Sequence, residues 1–106
     1  MNDLVAQLND LITQLNALLR ENNDPACDQQ LWDLRHLLSA LRDSALGKAY
    51  DQTLLAYGAA VAAMSDADTA AAAAVADINK VQAAIDKMTA AAKAADKVIG
   101  LFSRLA

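Results

Sequence analysis

A chain of 106 residues in which 56% are hydrophobic and only 4% aromatic, with three Gly and one Pro, fits one all-helical domain, because most of its apolar excess is alanine, the best helix former. A formal net charge of −4 argues against nucleic acid as a partner, since that binding rests on clustered Lys and Arg. The single cysteine, Cys27, precludes an internal disulfide and fits a reducing compartment.

The first helix is predicted over residues 3–22, capped by Asn2. Leu4, Leu8, Leu11, Leu15 and Leu18 form one stripe, widened by Val5, Ile12 and Leu19, and a stripe of that width packs on two neighbours. Asn22-Asn23 offers a left-handed stop. Asp24-Pro25 is a start signal, with Asp as the cap and Pro at the first helical position, where its missing N–H costs nothing. The second helix carries Leu31, Leu34, Leu38, Leu41 and Ala45 on one line. Beyond Gly47 the apolar line becomes Leu46, Tyr50, Leu54, Tyr57, Val61 and Met64, displaced by roughly 120° to 160° at about 100° per residue. That phase jump predicts either a break or kink at Gly47, the favoured reading, with a separate helix over 48–63, or a continuous helix whose two halves contact different partners.

Met64, Ser65 and Asp66 are predicted to form a tight turn, with Ser65 and Asp68 as a capping box. From there one long helix is expected over about 66–105. Its apolar positions 67, 71, 74, 78, 81, 85, 88, 92, 95, 99, 102 and 106 alternate steps of four and three, the seam of a helix that packs lengthwise on others. At ~1.5 Å per residue it would be about 60 Å long and act as a spine. Asp66, Asp68 and Asp77 near its start and Lys80, Lys87, Lys93, Lys97 and Arg104 towards its end complement the helix dipole without any ligand. The fold class expected is all-α, an antiparallel three- or four-helix bundle, possessing some coiled-coil character and organised on that C-terminal helix.

Candidate chemistry is sparse. His36 is the only histidine, and nine residues separate it from Cys27 on one helix, too far to share a metal. Cys27 falls near a helix N-terminus, a place where a thiol's pKa can drop, but without a partner base the placement is read as chance. The aspartates are scattered over solvated faces and caps, with no pocket indicated that would shift one for acid–base work. No catalytic residue, metal site or cofactor is expected. The run His36-Leu37-Leu38-Ser39-Ala40 resembles the phosphoacceptor helix of histidine phosphotransfer domains, which are four-helix bundles of about this size. That family's pattern has lysine three residues after the histidine and then glycine, and this chain has Ser39 and Ala40 there. The resemblance implies a degenerate phosphotransfer-like domain as the weaker alternative.

Two surfaces stand out as interaction candidates. Trp32 lies on the polar face of the second helix, in line with His36, Ser39 and Asp43, where a large aromatic is a candidate contact anchor. Residues 54–64 contain no charge and 70–76 are apolar all round, so Leu55, Ala59, Ala62, Ala72, Ala73 and Ala76 are expected to remain bare at the tip of a helical hairpin unless helix one or two folds over them or a second chain, the favoured cover, does. The function expected is a small, acidic, alanine-rich protein–protein interaction module of bacterial type, an adaptor, chaperone or immunity-type bundle that self-associates as a two-fold homodimer. The alternative is an amphipathic protein of lipid or granule surfaces, with membrane-surface contact the less favoured partner. No signal peptide and no run of about 20 apolar residues is visible, so a cytoplasmic protein without a transmembrane segment is expected, although leaderless export leaves no mark in a sequence.

Overall fold

The computed structural model describes residues 3–46 and 55–100. They form an all-α bundle of four helices, α1 (Asp3–Glu21), α2 (Pro25–Ala45), α3 (Leu55–Ala76) and α4 (Val81–Ile99), with a single 3-10 turn at Ile78–Lys80 ahead of α4. α1 packs on α2 and α3, and α4 packs on α2 and α3, so α1 and α4 occupy opposite corners. α1 and α2 run antiparallel, tied by Arg35 Nε donating to Asn16 Oδ1 at 2.8 Å and Arg42 Nη1 to Asn9 Oδ1 at 3.4 Å. α2 and α4 run in the same direction, since Gln82 Nε2 at the start of one reaches Gln30 Oε1 near the start of the other at 3.4 Å.

The core pairs a leucine-rich half with an alanine-rich half. Leu4, Leu8, Leu11, Leu15 and Leu18 of α1 and Leu31, Leu38 and Leu41 of α2 are fully buried, as are Ala60, Ala67, Ala71 and Ala74 of α3 and Ala84, Ala91 and Ala95 of α4. Small side chains let α3 and α4 approach closely, and the leucines fill the space opposite. Each fully buried leucine contributes about 1.5–3 kcal/mol of transfer free energy. No polar or charged residue is buried among the described residues.

The helix starts follow their local chemistry. Asp24 Oδ1 accepts from Ala26 N at 2.9 Å with Pro25 at the first position of α2, the cap expected from Asp24-Pro25. The expected left-handed stop at Asn22-Asn23 is not adopted, because no described residue other than glycine has positive φ. Asn22 instead brackets the backbone of Asp24, donating from Nδ2 to its carbonyl at 2.8 Å and accepting from its N–H at 3.3 Å, and that local turn ends α1 without a left-handed residue. At the far end of α4, Gly100 takes the left-handed conformation (φ 77°) as the C-cap.

The C-terminal spine is divided. The expected turn at Met64-Ser65-Asp66 is interior helix, and Thr69 Oγ1 donates to the Ser65 carbonyl at 3.1 Å within α3. Ser65 and Asp68 therefore make no capping box, and Met64 and Ala67 face the core together from one helix. The actual turn follows Ala76, where Asp77 (φ −142°, ψ 99°) accepts from Asn79 N at 3.2 Å. A 66–105 helix of about 60 Å would also overrun the described bundle, whose longest dimension is 39 Å. Positions 67, 71, 74, 81, 85, 88, 92, 95 and 99 of the expected seam are all buried, shared between α3 and α4, and 102 and 106 lie outside the described residues. α2 ends at Ala45, and Leu46 has left helical geometry (ψ 133°). Gly47, on which the predicted break was placed, and most of the predicted 48–63 helix's first half lie outside the described residues.

Candidate functional site

The outward side of α3 is an apolar surface that the described residues leave open. Leu55 is 92% exposed, and Ala56, Gly58, Ala59 and Ala62 are exposed beside it. Ala72 and Ala76 are exposed in the last turns, while Ala73 between them is half-buried and less bare than expected. The six alanine and leucine positions anticipated as one patch do share one helix, but their setting differs in two ways. Leu55, Ala59 and Ala62 do not sit at a hairpin tip, because the chain does not turn at 64–66, whereas Ala72, Ala73 and Ala76 flank the true tip at 77–80. Nor are they continuous, since exposed Ser65, Asp66 and Thr69 divide 55–62 from 72–76.

α3 is long and apolar enough to span a membrane by length and composition alone, with a mean hydropathy of 1.2 over an 18-residue stretch of which 28% is buried in the fold. It contains no unbroken apolar run of that length, because Ser65, Asp66, Asp68 and Thr69 lie at its middle. Each charge at the centre of a spanning helix costs about 2.5–3.5 kcal/mol.

Trp32 lies in a different setting, a groove of about 520 Å³ between α1 and α2 lined by Asn16, Leu19, Arg20, Trp32 and Arg35. It is 43% exposed. The Arg35 guanidinium carbon stands 5.7 Å from the Trp32 ring centroid, and the His36 ring is 6.3 Å away on the same helix face. Asn16 fixes Arg35 through the bond to Nε, so the guanidinium is oriented before anything binds. His36 is exposed, with Ser39 and Ala40 after it as the sequence has them. Asn16, Arg20 and Arg35 were not singled out by sequence reasoning. The signal was present: α1 and α2 form a hairpin centred between Pro25 and Ala26, which sets position 16 opposite 35 and 19 opposite 32.

Cys27 is buried rather than poised for reaction. Its Sγ lies 3.8 Å from both Asp24 Oδ2 and Gln82 Oε1. Burial first, and then the Asp24 carboxylate, push the thiol pKa up, so the thiol shows none of the lowering that a helix N-terminus can give. Among the described residues, no three His, Cys, Asp or Glu side chains are grouped so as to hold a metal ion.

No protein-family model, curated protein or solved structure matches this chain.

Proposed function

We propose that this chain is a small non-enzymatic interaction module that pairs with a second copy of itself through the first half of α3. One observation carries the reading: a helix with the apolarity of a membrane span has only 28% of its most apolar stretch buried in its own fold, and a water-soluble helix of that kind is normally covered. Self-pairing of a chain with net charge −4 requires a contact without charge, and residues 55–65 have none. The stripe is also self-complementary. An antiparallel crossing with its two-fold axis between Gly58 and Ala59 sets Leu55 of each copy over Ala62 of the other, a large side chain against a small one, and brings the backbones together at Gly58.

An intermolecular disulfide tests this arrangement. A Cβ built at Gly58 meets no atom within 4 Å, so Gly58→Cys fits the monomer. In a Cys27→Ala background it is expected to form a disulfide-linked dimer rapidly under mild oxidation, and Ala83→Cys on the exposed side of α4 is expected to remain monomeric. Equal rates at both positions would refute the α3 contact.

A second reading, contact with a lipid surface, rests on the same length and apolarity. Against it, α3 carries Asp66 and Asp68 but no Lys or Arg, and interfacial helices use cations to meet anionic headgroups. Co-sedimentation with anionic vesicles separates the two readings, with the protein expected to stay in the supernatant.

A further inference from the structure

The groove between α1 and α2 is independent of α3 and differs from it in chemistry. In a chain where acidic residues outnumber basic ones by 13 to 9, it is lined by two arginines, one tryptophan, one leucine and one asparagine, and by no carboxylate. Asn16 holds the Arg35 guanidinium beside the Trp32 ring, which removes part of the ordering cost of binding an anion there. Arg20 is exposed. Leu19 is half-buried and packs on the core, so the floor is apolar and its rim cationic.

We propose that this groove takes an acidic peptide segment of a partner protein, one carboxylate meeting Arg20 and Arg35 and a neighbouring apolar side chain resting on Trp32. Guanidinium groups pair with carboxylates through charge-assisted, bidentate bonds, and a half-exposed tryptophan beside an arginine is the composition of an interface anchor. An extended polyanion fits less well. Asp28 and Asp43 lie on the same side of α2, four residues before Trp32 and eleven after it, and a phosphate backbone running along the groove would meet both. The site is suited to a localised negative charge flanked by apolar side chains.

Trp32 is the only tryptophan, so its fluorescence reports on the groove alone. The full chain is titrated with a peptide of alternating Glu and Leu, with the Lys–Leu counterpart, and with a single-stranded oligonucleotide. The expected result is a saturable change with the Glu–Leu peptide only, weakened about tenfold by Arg20→Glu and by added salt. Arg20 is exposed, so that variant keeps the parent's helical circular dichroism. Arg20→Lys, which keeps the charge without the fork, is expected to fall between the two. No saturable change, an equal response to the Lys–Leu peptide, tighter binding of the oligonucleotide, or indifference to Arg20→Glu would each overturn the proposal.

Discussion

Asp10 of α1 and Asp68 of α3 bring two carboxylates to the same side of a packed helix pair. Asp68 Oδ1 is buried with no hydrogen-bond partner, and burial first, then the Asp10 charge, raise the Asp68 pKa above its ordinary value. A carboxyl whose pKa is higher folded than unfolded binds its proton more tightly in the folded state. It therefore disfavours folding at neutral pH, and that penalty fades as pH falls through the raised pKa towards the ordinary carboxylate range. Asp68→Asn is expected to stabilise the bundle by roughly 1 kcal/mol at pH 7 and to flatten this part of the pH dependence. Denaturant melts at pH 7 and pH 5 check it: a variant less stable than the parent at pH 7 would contradict the finding.

Tyr57 presents a second unmet polar atom. The residue is 5% exposed and its hydroxyl is buried without a partner. Removing one such group is favourable because the desolvation penalty leaves with it, so Tyr57→Phe is expected to raise stability by about 1 kcal/mol. A loss of stability in thermal melts would show that the hydroxyl is satisfied in solution.

Ile85, 3% exposed in the first turns of α4, tests the shared seam. Ile85→Asp places an unpaired carboxylate in the core and is expected to cost several kcal/mol, on the order of the whole stability of a small domain. Circular dichroism should show most helix lost at 25 °C. A melting temperature within a few degrees of the parent's would put Ile85 outside the core.

Gly100 caps α4 at φ 77°, donating its N–H to the Asp96 carbonyl at 2.6 Å. A side chain in that conformation is strained, so Gly100→Ala is expected to destabilise by about 1 kcal/mol. Gly58 sits in helix interior with open space around it, and by the same propensity Gly58→Ala is expected to stabilise the monomer by roughly 0.5–1 kcal/mol. Opposite signs at the two glycines, read from chemical denaturation of the separate variants, are the outcome to look for.

The all-helical class, α1, the start of α2 and the buried seam were legible because each rests on a local signal: leucine periodicity, Asp24-Pro25, and steps of four and three. The position of the last turn was not. A hairpin whose arms both face the core keeps its apolar phase through the turn, with Ala74, Ile78 and Val81 in step, so periodicity alone does not distinguish one long helix from two. Two local signals pointed the right way. Tyr57, Ala60, Met64, Ala67, Ala71 and Ala74 run unbroken through 64–66 once Ala60 is taken in place of Val61, and Asp77 two residues before Asn79 is itself a cap. Alanine obscured the first, being too weakly hydrophobic to mark a face. The groove at Trp32 was half legible: its aromatic was visible on the polar side of α2, and its arginines came from two helices brought together only by the hairpin.

The most direct measurement of the self-association claim is sedimentation equilibrium of the chain and of two arginine variants at micromolar concentration. The parent is expected at about twice its 11.2 kDa chain mass. Ala62→Arg, set against Leu55 of the second copy in the proposed contact, should give the single-chain mass with helicity unchanged, and Ala90→Arg, exposed on α4, should leave the dimer intact. A parent that sediments as a single chain, or a dimer unaffected by Ala62→Arg, would contradict the account.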